Sequence, residues 1–477
     1  MPERAVIHRA IRVATEDTFT SLRPERYASM TDLQIGLQMF ETLVGYDRSL
    51  GLEGRLAESW ACTPDGLGYR FVLRSGARFH DGEPVTATAV RDFLAGSCLE
   101  RLGVRPLVAS VEAIGVREVE LVLRQPFSPL LDRLASPSAV IYATAGARDG
   151  GPPAGTGAFG RPSRVGRSVH VDRIAAPFGG ADGRGQAPAV SALGDQAVSS
   201  AEFVPHVDGG AMWRALVEDR VDLAYECPYE VVARGADDPS VVVTSCPSLA
   251  VNMLVFNGRS GPLAAPAARR AIALAIDKHQ LLADVNLGVG EAAQGPIAPS
   301  SPFFLPRPPR SPASSLERGA APAELTVVAT LGFTRQWLEL FKSQLARVGT
   351  RCVVHQLPFP ALRRAVLHGS FEAALIGFPG FVDPDRILFE VFHSAGQANY
   401  SGVRDPAFDD FVDRARRSHA VEERAELYAG ACDVLEDLVP AVFLRHGRSI
   451  IARRSRVTGI DPHPLGDIDL AKAGWRC

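Results

Sequence analysis

A chain of 477 residues, 46% of them hydrophobic, is long enough to bury more than one core. Its formal net charge of -3 sets up no global basic field for phosphate backbones or anionic lipid, which argues against nucleic acid as a partner. The seven cysteines (Cys62, Cys98, Cys227, Cys246, Cys352, Cys432, Cys477) are scattered with no CxxC pair, so neither a zinc cluster nor a disulfide scaffold is signalled and buried reduced thiols are expected. Lysine occurs only at Lys278, Lys342 and Lys472 among many arginines, and no mechanism follows from that alone.

From the N-terminus, Met1 to Arg12 (MPERAVIHRAIR) has no apolar run of the roughly 7 to 15 residues a signal-peptide core needs. The expectation is therefore a cytoplasmic protein if Met1 is the true start, and no later stretch reaches the ~18 apolar residues of a membrane span. Helical spacing predicts a helix over Thr31–Leu43 with Leu33, Leu37 and Phe40 facing the core. Alternation at Tyr69, Phe71, Leu73 and again at Val119, Leu121, Leu123 predicts strands. Between and around them, Pro64, Asp65, Gly66 and then Asp81, Gly82 read as turns, with Thr86 as the N-cap of a helix through Val90. Gly155, Gly157 and Gly160 match GxGxxG, yet Pro162 interrupts any helix after them and Ser168–Ile174 alternates like a strand, so a structural turn and not a dinucleotide site is expected.

Later in the chain, Gly179–Gln186 (GGADGRGQ) and Leu305–Pro322 (LPRPPRSPASSLERGAAP) read as surface loops. Two further helices are predicted: Gln336–Val348, with Trp337, Leu340, Phe341 and Leu345 inward, and Val421–Leu438, with Leu427, Ala431, Val434 and Leu438 inward. Asn399, Tyr400, Ser401 forms a glycosylation sequon, read as the start of a surface helix. The arginines Arg445, Arg448, Arg453, Arg454 and Arg456 read as a solvated strand edge. No Ser/His/Asp order, HExxH or phosphate loop occurs, so no catalytic set is assigned.

The stretch Leu56–Val90, LAESWACTPDGLGYRFVLRSGARFHDGEPVTATAV, resembles the signature of the family 5 solute-binding proteins of ABC importers, the oligopeptide, dipeptide and nickel binders. The resemblance continues in order through Phe40–Asp47 (FETLVGYD), Gly155–Phe159 (GTGAF), Ala215–Ala224 (ALVEDRVDLA), Val255–Ile276, Val382–Leu388 (VDPDRIL), Asn399–Asp409 and Val457–Gly466. It implies an α/β fold of two lobes, periplasmic-binding-protein-like (cluster C, type II), with an extra subdomain inserted in lobe I. Lobe I would take residues 1–252, with the insertion at about 48–150; lobe II 253–441; and 442–477 would return to lobe I. The chain would cross between lobes near Met253–Phe256 and Val442–Leu444, closing on a ligand by a hinge motion.

For the ligand, the resemblance implies a peptide-like or other small polar solute, ABC permease subunits as partners, a periplasmic or cell-surface location, a monomer, and neither cofactor nor metal. In that family the His80-Asp81-Gly82 turn is structural. Peptide-binding members hold the ligand amine with an aspartate just before the Asp-Pro-Asp element, where this chain has Gly377, Phe378, Pro379, Gly380, Phe381; Asp383 and Asp385 match the structural part of the motif. The usual tryptophan is also absent, and no arginine clamp for a dipeptide carboxylate stands at Val328, Ala329, Thr330, Leu331, so a free dipeptide is disfavoured. At Ser21–Pro24, Arg23 replaces an acid and is either a solvated or a ligand-facing cation. The candidate ligand contacts are Tyr27, Tyr225, Glu226, Asn257, Phe378, Phe381 and His393. The alternative is a cytoplasmic member of the same fold repurposed as a biosynthetic enzyme or ligand sensor, with Glu226, His393 or Tyr225 as acid or base; of the two readings, an enzyme is the less favoured.

Overall fold

Residues 10–16, 19–27, 29–143, 152–174, 196–307 and 320–476 are described by the computed structural model. The predicted loop 179–186 and most of 305–322 lie outside them. The chain divides into two compact units, Met1–Cys246 with Ser449–Cys477, and Pro247–Arg448. Both divisions fall inside long strands, Val241–Phe256 and Ala441–Arg454, so the chain passes from one unit to the other twice through extended backbone.

In the first unit, Ile11–Thr15 lies parallel between Ser200–Pro205 and Leu223–Ala224, and Ser168–Arg173 and Phe159–Val165 extend the sheet antiparallel beyond Ser200–Pro205. Ile11, Val13, Phe159, Val171 and Phe203 fill one core against this sheet. A separate four-stranded antiparallel sheet, in the order Ala57–Cys62, Gly68–Leu73, Glu118–Leu123, Val108–Ile114, has its own core. Tyr69, Phe71, Leu73, Val119, Leu121 and Leu123 are all buried there, as period-two alternation requires of a sheet wet on one face. The turns fall at Gly66 and Gly82, both at positive φ, and Thr86 caps the helix Ala87–Phe93 by accepting from the Ala89 N–H.

The three glycines of the GxGxxG match pack tightly. A Cβ at Gly155 would lie 2.0 Å from the Met39 carbonyl oxygen, and one at Gly157 2.5 Å from that of Gln38. Strand Phe159–Val165 follows directly, with Pro162 at a shift of register. His80 reaches into the same place, Nε2 lying 2.9 Å from the Gly157 carbonyl oxygen.

The second unit is built on the strand order Arg351–Leu357, Glu324–Thr330, Ala373–Phe378, Val241–Phe256, Ala441–Arg454. One face carries Leu254, Leu325, Val327 and Leu375 under the helix Arg335–Ala346. The other carries Val251, Met253, Val255, Ala374 and Ile376 with the helices Pro406–Arg417 and Val421–Leu438. No helix among the described residues is long and apolar enough to cross a membrane.

Four expectations need correction. The first helix is Met30–Met39, and it buries Thr31, Asp32, Gln34, Ile35, Gln38 and Met39; Leu33 and Leu37 are only half-buried, because the neighbouring backbone takes hydrogen bonds from the glutamines instead of apolar contact. In Val421–Leu438 the inward residue near the end is Leu435, while Val434 and Leu438 are half-buried. Asn399 is no helix start: its side chain is buried and donates to the His393 and Val403 carbonyls, and the next helix begins at Pro406. The arginine-rich strand is not a solvated edge, since Ala441–Arg454 is paired on both sides. Arg454 pairs with Asp238 and Asp219, and Arg456 with Asp219 and Asp222.

Candidate functional site

The Phe378–Phe381 loop leaves the strand Ala373–Phe378 directly opposite Val251, to which Phe378 is paired. The two phenyl rings meet edge to face at 5.7 Å, and the Arg386 guanidinium lies 4.5 Å from the centre of Phe381. The two rings, with Leu249, Val251, Ile297 and Ile387, line a small open recess. Its one acid is Asp383, 3% exposed. That carboxylate accepts from Arg424 Nη2 at 2.7 and 2.9 Å and from the Tyr428 hydroxyl at 3.0 Å. Burial works against the Arg424 charge, but Asp383 outweighs it and holds the guanidinium protonated; burial and then Asp383 keep the Tyr428 hydroxyl protonated too. Asp385, fully buried, is paired with Arg416 at 3.0 Å. Both aspartates are thus engaged in fixing the loop.

Gly380 lies in the middle of the Gly377–Phe381 stretch, which carries no acidic residue. A Cβ there would lie 2.6 Å from the Leu249 Cβ and 2.9 Å from the Ala250 nitrogen. The loop comes so close to the strand that only glycine fits without a shift.

Two other candidates of this unit are spent on the scaffold. Asn257, 4% exposed, donates to the Gly369 and Phe371 carbonyls at 3.1 and 2.9 Å and accepts from the Arg259 N–H. His393 Nδ1 accepts from the Ala395 N–H at 3.0 Å, which places the ring proton on Nε2. Nε2 faces Asp409 at 3.5 Å and Asp413 at 3.7 Å while the ring stacks on Phe389 at 4.5 Å. In that tautomer Nε2 has no lone pair for a metal. Among the described residues no group of three or more His, Cys, Asp and Glu side chains is arranged to hold one.

In the first unit, Tyr27 lies across the helix Met30–Met39, where a Cβ on Gly36 would fall 1.9 Å from its hydroxyl oxygen. That oxygen is buried without a hydrogen-bond partner among the described residues, and burial, with Asp32 nearby, raises its pKa. Tyr225 follows the short strand Leu223–Ala224; its hydroxyl accepts from the Glu16 N–H at 3.4 Å, and burial raises its pKa as well. Glu226 is exposed beside it. Arg23 pairs with Glu25 at 3.4 Å.

A second recess, missed in the sequence, also lies in the second unit. Lys278, Leu281 and Leu282 of the helix Lys278–Asp284, Asn286 beyond it, Phe333 and Trp337, and Asn252, Leu444 and Arg445 line a shallow recess with room for about one water. Lys278 donates to the Ala293 carbonyl at 2.5 Å, and burial lowers its pKa against the opposing charge of Glu436. Arg445 Nε donates to Asn252 Oδ1 at 3.0 Å. The available signal was the scarcity of lysine: Lys278 is one of three in the chain, and it sits half-buried at the start of a helix. What periodicity could not reveal is that residues 252, 278, 286, 337 and 445 converge.

The fold is that of the two-lobed periplasmic binding proteins. The chain belongs to the bacterial extracellular solute-binding proteins of family 5, whose model matches residues 51–399. The glutathione-binding protein GsiB of Pectobacterium atrosepticum is 24% identical, covering 94% of this chain and 90% of its own. Di/tripeptide-binding protein 2 of Pseudomonas aeruginosa is 26% identical over 97% of this chain and 94% of its own. The ABC transporter-associated periplasmic binding protein DppA of Helicobacter pylori, solved with the peptide STSA, superposes with a TM-score of 0.85 at 19% identity, over 98% of each chain.

Proposed function

We propose that this protein is the solute-capturing component of an ABC importer, working outside the cytoplasmic membrane, where it takes up a peptide-like solute and passes it unchanged to permease subunits. The observation that carries this reading is the family match over residues 51–399, which takes in the Phe378–Phe381 loop and the helix that starts at Lys278. Relatives named for glutathione and for di- and tripeptides support the solute class.

Within this reading, Phe378 and Phe381 wall an apolar part of the solute, and Tyr27, Tyr225 and Glu226 are the first unit's candidate contacts. Asn257 and His393 support the second unit from inside. Because Gly377–Phe381 contains no acidic residue and Asp383 is bound by Arg424, the loop offers no carboxylate to a ligand ammonium. A solute held by its free amine at this loop is therefore disfavoured.

A panel of glutathione, dipeptides, tripeptides and their N-acetyl forms, followed by thermal unfolding, tests this. A captured solute at about 100 times its Kd stabilises the native state by about 2.7 kcal/mol, which moves the midpoint by a few degrees and does so in proportion to log concentration. No shift from any member would contradict the proposed solute class.

A further inference from the structure

The two strands through which the chain passes between its units are joined to one another by a buried histidine. His446, on Ala441–Arg454, is 3% exposed, and its Nδ1 lies 3.2 Å from the carbonyl oxygen of Ala250, on Val241–Phe256. A carbonyl only accepts, so Nδ1 carries the ring proton and Nε2 keeps its lone pair. Nε2 is buried with no hydrogen-bond partner among the described residues, although the Gly295 carbonyl also faces the ring. Native proteins keep few buried polar atoms unpaired, and this one is an atom that takes a proton within the physiological range.

The surroundings oppose that proton. Lys278, at the start of the helix Lys278–Asp284, donates to the Ala293 carbonyl at 2.5 Å, two residues before Gly295. Arg307 also reaches Gly295, where a Cβ would lie 3.5 Å from its Nη2, and it is paired with Asp433 at 2.5 Å. Glu291 stands opposite His446 in the ladder, but its side chain is exposed. Arg445 and Arg448 flank the histidine on its own strand, while Val241–Phe256 and the Gly377–Phe381 loop packed on Ala250 carry no charged side chain. Burial is the largest influence and lowers the pKa of His446; the Ala250 and Gly295 carbonyls raise it, Lys278 lowers it further, and the outcome is a fall.

We propose that His446 is an acid-release latch between the two passage strands. The neutral ring fastens one strand to the other through its single N–H, and a second proton, on Nε2, turns a buried neutral link into a buried cation near Lys278 and loosens the strands. A folded-state value below the ordinary ~6.5 means that the latch contributes its full stability above that pH and loses it as pH falls from there through the folded value.

Hydrogen exchange read by mass spectrometry on the full chain, from about pH 7.5 to about pH 5.5 and corrected for intrinsic rates, tests this. Protection of Val241–Phe256 and Ala441–Arg454 should fall below pH ~6.5, by up to about tenfold per pH unit, the limit for one linked proton. His446→Asn keeps an amide N–H near the place of Nδ1 but cannot titrate, so its protection should not follow pH in this range. In the native protein the Cε1–H resonance of His446 should titrate below the ordinary histidine value, and Lys278→Gln should move that midpoint upward. The same fall of protection in His446→Asn as in the native chain, or a ring that titrates at or above ~6.5, would overturn the latch. Should His446→Asn fail to fold, the native titration and its response to Lys278→Gln decide the matter alone.

Discussion

Asp383 shows how a residue in a ligand-binding loop can be wholly structural. Its carboxylate, 3% exposed, is held by Arg424 and Tyr428, themselves buried. Arg424→Leu would leave that charge buried without its cation, a change worth about 3–5 kcal/mol. Chemical denaturation should show a loss of that order, and a loss under about 1 kcal/mol would mean the pair is not the anchor described. In the first unit, Asp219 and Asp222 face Arg12, Arg454 and Arg456. The hydrogen bond from Arg456 lowers Asp219 to about 2; for Asp222, burial pushes upward but the bonds from Arg12 and Arg456 win, so its value also falls. Folded-state values below the ordinary carboxylate range mean that the stabilisation is fully present above pH ~4 and is lost as pH falls from there toward 2. Melting temperatures between pH 6 and 2 should fall on acidification, and Asp219→Asn should flatten that slope; an unchanged slope would contradict the assignment.

At the scale of elements, the helix Met30–Met39 uses two glutamines as surrogate backbone. Gln34 Nε2 donates to the Gly466 carbonyl and Gln34 Oε1 accepts from the Ile468 N–H; Gln38 Nε2 donates to the Ile468 carbonyl and Gln38 Oε1 accepts from the Leu470 N–H. The segment after Gly466 is thereby laced to a helix more than 400 residues earlier. Replacing Gln38 by Leu strands a buried N–H and a buried carbonyl, and should cost about 1–3 kcal/mol. Hydrogen exchange at the Leu470 amide is the readout; retained protection would show that the lacing is dispensable. This helix also marks where reading by periodicity failed. Leu33 and Leu37 were expected inward, but the inward face carries Gln34 and Gln38, whose partners lie too far along the chain for any local pattern to announce. Elements whose neighbours are apolar were legible: Tyr69–Leu73 and Val119–Leu123 bury the residues their alternation indicates, and the helix Arg335–Ala346 buries Trp337, Phe341 and Leu345, though its other inward leucine is Leu338 while the expected Leu340 is half-buried. Of the candidate contacts named from the sequence, Phe378 and Phe381 are the two that line the first recess. The second recess was not legible, because Lys278, Asn286 and Arg445 meet only through the tertiary fold.

At the scale of the molecule, both passages between the two units run through strands of 16 and 14 residues. Asn252 and Arg445, which line the second recess, stand on these two strands and are bonded to one another. The family match and the fold are those of a family 5 solute-binding protein, and delivery of the solute unchanged is the proposal made for it. Native mass spectrometry of the intact protein purified from its own cells tests that directly. The account predicts a non-covalent adduct of a few hundred daltons that is released, on unfolding, with the same mass and fragmentation as the compound supplied; release of a transformed compound would contradict it.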